Sequence, residues 1–173
     1  MKIDVSSILK ITGARVEIDG KVDLKDADFL GESYKFEEPL TVSGEIYNNG
    51  QTLTLEAHVT GKMITECARC LSEVHADVDF NVEEYLARDD GREARGDEED
   101  IILFDGHEVE LDDIVRDRFL MNLSGRYLCR DDCKGLCPVC GHNLNEGDCG
   151  CNREYIDPRW QALADIMKGQ TEE

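Results

Sequence analysis

Apolar residues recur at every second position through much of the first half of the chain, and this period predicts the fold. Beyond Tyr34, Leu40, Val42, Gly44 and Ile46 fall on one side; Asn48-Asn49-Gly50 interrupts; Leu53, Leu55, Ala57 and Val59 resume the alternation. Asn-Gly supplies the positive φ that a tight turn needs, so the pattern reads as a β-hairpin. The clearest strand follows, with Val74, Ala76, Val78, Phe80 and Val82 on one face and His75, Asp77, Asp79, Asn81 and Glu83 on the other. One face is dry and one is wet, as in an antiparallel sheet. The first thirty residues are mixed: Val5, Ile8, Leu9 and Ile11 suit a short helix or strand pieces at an edge.

Residues 88–100, RDDGREARGDEED, have no apolar period and read as a mobile acidic loop. Ile101-Ile102-Leu103-Phe104 predicts a short strand, and order returns around Val109. A helix then runs from about Leu111 to Asn122, since Leu111, Ile114, Val115, Arg118 and Phe119 share a face that is apolar except at Arg118. Asp112 and Asp113 sit in its first turn, where carboxylates complement the helix dipole. A last helix is expected from Pro158, with Trp160, Leu163, Ala164 and Met167 on one face. The predicted class is α+β: an antiparallel sheet or partly closed barrel, one or two short helices, and a C-terminal zinc-knuckle region. Its parts are a β region at 1–87 carrying the first cysteine pair, the acidic loop at 88–100, and a strand–helix plus cysteine-rich region with a C-terminal helix at 101–173.

Charge narrows the partners. Thirty-nine acidic residues stand against 19 basic ones, a formal net charge of −20 in 173 residues. Nucleic-acid binders gain affinity by neutralising phosphates with Lys and Arg, so this balance favours a positively charged protein partner. The acidity is uneven: residues 88–113 hold twelve acids and three bases, residues 123–160 six acids and five bases. Direct RNA contact, if made, would fall to Arg126, Arg130, Lys134, Arg153 and Arg159. No stretch approaches the roughly 20 apolar residues that span a bilayer. The N-terminus, broken by Asp4, Lys10 and Arg15, does not read as a signal peptide. A cytoplasmic, reducing location is therefore expected, where clustered cysteines more often bind metal than form disulfides.

Eight cysteines carry the candidate chemistry. Cys67-Ala68-Arg69-Cys70 lies between two predicted strands, and Cys129, Cys133, Cys137, Cys140, Cys149 and Cys151 fall within 23 residues. A C-x-x-C turn lets two thiolates grip one ion, and zinc takes four such ligands in a tetrahedron. Cys137-Pro138-Val139-Cys140-Gly141 has this knuckle form, and Cys149-Gly150-Cys151 supplies a second close pair. The primary site is therefore Cys137, Cys140, Cys149 and Cys151. The remaining four, Cys67, Cys70, Cys129 and Cys133, make a second tetrahedron that would staple the sheet to the C-terminal region. A different partition builds one site from Cys129, Cys133, Cys137 and Cys140. One or two structural zinc ions are expected, with an iron–sulfur cluster as the other occupant such thiolates accept. The competing chemistry is a thiol-redox or metal-dependent enzyme using Cys67 and Cys70, but redox C-x-x-C pairs sit at a helix N-terminus after a strand. His58, His75, His107 and His142 are scattered, and no catalytic triad, carboxylate pair or phosphate-cradling loop stands out. No catalytic residue is assigned.

The C-terminal run, Cys129-Arg-Asp-Asp-Cys133-Lys-Gly-Leu-Cys137-Pro-Val-Cys140-Gly-His-Asn-Leu-Asn145 followed by Cys149-Gly-Cys151, together with Cys67-Ala-Arg-Cys70-Leu71, closely resembles the YceD family, the large ribosomal RNA subunit accumulation proteins. The resemblance extends over nearly the whole chain. One departure is Leu123-Ser124-Gly125, where the family often has Leu-Pro before the cluster. The resemblance implies a bacterial-type cytosolic factor needed for accumulation of large-subunit ribosomal RNA. Members are often encoded beside a small zinc-bearing protein of that subunit. Combined with the acidity, it points to a basic ribosomal protein or a large-subunit assembly intermediate as partner, and it supplies no mechanism.

Overall fold

Each alternating segment becomes a strand, and the longest of them organises the sheet. The computed structural model describes residues 1–25, 27–29, 32–89, 101–152 and 160. Its elements are β1 (Lys2–Asp4), β2 (Arg15–Val22), β3 (Ala27–Phe29), β4 (Glu32–Phe36), β5 (Leu40–Asn48), β6 (Leu53–Glu66), β7 (Glu73–Arg88), β8 (Ile101–Phe104), β9 (Glu108–Glu110) and helix α1 (Leu111–Asn122). Strand β6 pairs with β5 near its start, with β4 at Met63 and Ile64, and with β7 along its whole length. Adding β2 beside β5, β3 beside β4 and β8 beside β7 gives a seven-stranded sheet, while β1 and β9 form a separate pair. The result is mostly sheet, curled as a half-barrel, with one helix among the described residues.

The inward face carries the core. Leu40, Val42 and Ile46 of β5, Leu55, Val59 and Met63 of β6, and Val78, Phe80, Val82 and Leu86 of β7 are all buried. Helix α1 covers them with Leu111, Ile114, Val115 and Phe119, the face its spacing predicts. Phe119 meets Tyr34 and Phe36 edge-on, with ring centroids 6.1 and 5.1 Å apart. Each such side chain contributes about 1.5–3 kcal/mol by leaving water.

The N-terminal segment is neither a helix nor one strand: β1 and β2 flank a run of turns that buries Val5 and Ile8 and leaves Ile11 exposed. The hairpin loop is longer than the Asn-Gly pattern suggests. Asn48 belongs to β5, where its buried amide donates to the carbonyls of Ile8 (2.8 Å) and Leu9 (3.1 Å). Asn49 Oδ1 instead makes the turn, accepting the N–H groups of Gln51 and Thr52.

Two features depart from simple antiparallel alternation. Strand β8 runs parallel to β7, Tyr85 opposite Ile101 through Arg88 opposite Phe104. A parallel neighbour needs a connection of about a dozen residues, and the acidic stretch after Arg88 has that length. Glu84 continues the inward row of Val82 and Leu86, and it is buried. It accepts a short hydrogen bond from Arg118 Nε, which explains the single charge on the apolar face of α1. Arg118→Leu would leave a buried carboxylate without its cation. We expect a loss of about 2–3 kcal/mol in urea denaturation, toward the low end of such pairs because Arg118 is partly exposed. Adding Glu84→Leu should restore most of it.

The outward face bears a row of glutamates. Glu17 on β2 lies opposite Glu45 on β5, Glu45 opposite Glu56 on β6, and Glu56 opposite Glu83 on β7. Arg15 donates to both oxygens of Glu45, at 3.1 and 3.0 Å. The Tyr47 hydroxyl donates to Glu56 at 2.8 Å, which holds the phenol above its usual range.

The chain divides into two compact units. The first, Met1–Ala68 with Ser72–Cys129, holds the sheet, the helix and the whole of the buried hydrophobic cluster. The described residues of the second, Arg69–Leu71 with Arg130–Glu173, form turns and one isolated bridge, Leu136 to Asn143. Among its described residues, the buried side chains counted as nonpolar are Cys70, Cys133 and Cys137. The expected acidic loop lies outside the described residues apart from Arg88 and Asp89, as does the expected C-terminal helix apart from Trp160. No helix among the described residues is long and apolar enough to cross a membrane.

Candidate metal centres

The two C-x-x-C segments fold into the same turn. Cys67 N–H donates to Ser72 carbonyl at 2.8 Å, and Cys137 N–H donates to His142 carbonyl at 2.8 Å, five residues on in each case. The residue after the second cysteine takes a left-handed conformation in both: Leu71 at φ 59° and Gly141 at φ 74°. Glycine is at ease there and leucine is not, so the first turn keeps its shape against a local preference. Inside the second turn the N–H groups of Cys140 and Val139 point at the Cys137 sulfur. They hold that thiol down to about 6. Peptide N–H donors aimed at sulfur stabilise the thiolate, the form that binds metal.

The sulfurs gather into two groups of four. Cys137, Cys140, Cys149 and Cys151 lie within 4.8 Å of one another, and so do Cys67, Cys70, Cys129 and Cys133. The structure thus places Cys129 and Cys133 with Cys67 and Cys70, not with Cys137 and Cys140. Four thiolates around one ion, with metal–sulfur bonds near 2.3 Å, are about 3.8 Å apart, so each group closes on an ion with small side-chain shifts. Without a cation, four sulfurs this close cannot all ionise. The Cys151 thiol donates to Cys140 and Cys149, which pushes it up to about 12. Gly150, at φ 69°, lets the chain double back between Cys149 and Cys151.

Two supporting residues are not foreseen from cysteine spacing. Arg69, between the first two cysteines, donates to the Cys133 carbonyl at 2.7 Å. Asn145 donates to the Cys133 sulfur at 3.3 Å, while its Oδ1 accepts from Lys134 N–H at 2.9 Å and from Arg130 at 2.7 Å. Hydrogen bonds of this kind orient a ligand sulfur and tune its charge. The only hint of Asn145 in the sequence is its place in the Asn143-Leu144-Asn145 run.

Cys67 and Cys70 sit in the turn between antiparallel β6 and β7, 0% and 5% exposed, with no helix N-terminus beside them among the described residues. None of the histidines belongs to either sulfur group. His58 and His75 are exposed and contact the carboxylates of Asp79, Glu37 and Glu73. Of the basic residues near the cysteines, Arg130 also pairs with Asp132 at 3.4 Å, and Arg153 and Arg159 lie outside the described residues.

Comparison with known proteins places all eight cysteines inside one matched region. The family model described as Large ribosomal RNA subunit accumulation protein YceD matches residues 55–167. An uncharacterized protein of Mycobacterium tuberculosis is 35% identical over 111 residues, which is 63% of this chain and 53% of its own length. This chain therefore spans about half of that relative. The uncharacterized protein YlbN of Bacillus subtilis is 20% identical over 99% of both chains. A chloroplast protein of Arabidopsis thaliana, named Large ribosomal RNA subunit accumulation protein YCED homolog 1, is 31% identical over 61 residues, 35% of this chain and 19% of its own. No solved structure matches.

Proposed function

Because this chain belongs to the YceD family, named for accumulation of large-subunit ribosomal RNA, we propose that it is a non-catalytic zinc-holding factor in assembly of the large ribosomal subunit. It works in the cytoplasm on a basic ribosomal protein or an assembly intermediate. The observation that carries the zinc reading is the make-up of the second unit: among its described residues the buried nonpolar side chains are cysteines, and the eight sulfurs fall into two four-sulfur groups. Where the described residues bury so little apolar surface, a metal would supply the missing folding energy. Closed all-cysteine tetrahedra are structural sites, whereas catalytic zinc keeps an open position. The burial of Cys67, Cys70, Cys133 and Cys137 also withholds those sulfurs from thiol exchange.

Net charge supports the partner. A molecule at −20 repels a polyanion at long range and attracts a cationic chain. Elemental analysis of protein purified without added metal should find two zinc ions per chain, and iron with sulfide would replace the zinc assignment. Salt titrations against naked large-subunit RNA and against individually purified large-subunit proteins should show tight, salt-sensitive binding in the second series. Tight, salt-sensitive binding to the RNA would overturn the protein-partner reading.

A further inference from the structure

Strand β8 ends its side of the sheet: it pairs with β7 and, among the described residues, with no other strand. Its sequence, Ile-Ile-Leu-Phe, has none of the charges, prolines or bulges that normally blunt an open edge. One bond fixes its backbone direction. Asp89 N–H donates to the Phe104 carbonyl at 2.9 Å, so Phe104 turns its peptide groups toward β7. That direction alternates along a strand, so Ile101 and Leu103 turn their N–H and C=O groups to the open edge.

The surroundings of this edge are apolar with an acidic rim. Leu103 is 57% exposed on the outer face. Ile101, Ile102, Ile114 and Met121 line a groove of about 320 Å³ between β8 and α1, and Met121 is 74% exposed. A second hollow of about 360 Å³ shares Ile102, Asp113 and Ile114 with it. Asp113 and Asp117 edge the groove, bridged by Arg116, and Asp105, Glu108 and Glu110 edge the hollow opposite one base, Lys2. The remaining base, Arg118, is held by Glu84.

We propose that the β8 edge and the groove beside α1 dock an extended segment of a basic protein, one alternating apolar residues with Lys or Arg, added as a further strand beside β8. Main-chain bonds to Ile101 and Leu103 would hold its backbone, its apolar residues would fill the groove, and its cations would meet the acidic rim. This deepens the partner reading above and rests on it. The chain's own residues 90–100 carry six acids and two arginines, the same sign as the rim. Two copies of a chain at −20 repel each other.

The test uses the full chain and a fluorescent eight-residue peptide alternating valine and lysine, read by anisotropy. Wild type should bind it, with affinity falling as salt rises. Leu103→Pro removes an N–H facing the open edge and spares the β7 ladder, so it should weaken binding at least about tenfold, as strand addition requires. Asp113→Lys with Asp117→Lys should weaken it as well. Should Leu103→Pro fail to fold, the same peptide N-methylated along one edge tests the backbone bonds against wild type. Undiminished binding by Leu103→Pro or by the N-methylated peptide overturns the site, because charge alone would then explain the affinity. Self-association of wild type that Leu103→Pro abolishes would replace the basic segment with a second copy. The purified large-subunit proteins separate the two levels: if wild type binds none, the partner reading fails, and if wild type and Leu103→Pro bind one equally, only the edge site fails.

Discussion

Replacing Cys137 by serine is expected to cut bound zinc from two ions per chain to one and to unfold the segment that carries Cys137, Cys140, Cys149 and Cys151. Cys137 is 2% exposed, receives two peptide N–H groups inside its turn, and shares its group with three other sulfurs. Serine cannot supply the thiolate, and the three sulfurs left do not close a tetrahedron. Structural zinc sites contribute on the order of 10 kcal/mol of folding free energy, comparable to the whole stability of an ordinary domain. The described residues of the second unit have no large apolar cluster to fall back on, since the buried hydrophobic cluster among the described residues lies wholly in the sheet and helix. Elemental analysis checks the ion count. Hydrogen exchange should show protection lost across residues 136–152 and kept in β5, β6 and β7. Retention of both ions and of that protection would mean that Cys137 is not a ligand.

The candidate ligands were legible because two constraints coincide. A C-x-x-C turn needs only local backbone geometry to converge its sulfurs, so Cys137 and Cys140 can be paired by inspection. The partnership of Cys129 and Cys133 with Cys67 and Cys70 spans some sixty residues. Spacing leaves it open against the Cys129, Cys133, Cys137 and Cys140 set, because it does not report which distant sulfurs lie near one another. Arg69 and Asn145 were invisible for the same reason: their partner, Cys133, is distant in sequence or bonded through a single atom.

Gly44→Val is expected to abolish folding of the sheet. A Cβ at residue 44 would strike the Glu56 carbonyl oxygen and lie 2.6 Å from the Ala57 Cα, which are backbone atoms of the facing strand. Glycine is required here by the close approach of β5 to β6, where Gly44 stands opposite Ala57. Neither backbone can retreat without breaking a ladder that β7 shares on its far side. The cost should exceed about 4 kcal/mol, placing it among the rare severe substitutions. Ser43→Val, one residue away on the exposed face, should change stability by less than about 0.5 kcal/mol. Circular dichroism and the yield of soluble protein distinguish the two, and a folded Gly44→Val protein would mean that the two strands are not so tightly apposed.

The strands themselves followed the same logic of legibility. The pattern from Leu40 to Val59 and from Val74 to Val82 is strict, so β5, β6 and β7 could be read directly, as could the α1 face from Leu111 to Phe119. Alternation reports which face of a strand is dry, not which strand lies beside it. The parallel pairing of β8 and the handover of β6 from β5 to β4 are long-range facts that no local period encodes. Strand β2 is harder to see because Gly20 breaks the inward row of Val16, Ile18 and Val22. Glu84 hid because a carboxylate on an inward row becomes intelligible only once Arg118 is known to arrive from the helix.

The rung formed by Glu17, Glu45, Glu56 and Glu83 makes this sheet responsive to its medium. Neighbouring strands are about 4.8 Å apart, well inside the roughly 8 Å screening distance of physiological saline. Like charges so placed push the strands apart, and only Glu45 has a guanidinium close at hand. Dissolved ions screen that push. The β-structure therefore tightens as electrolyte is added and slackens in dilute buffer, the reverse of a fold braced by surface salt bridges.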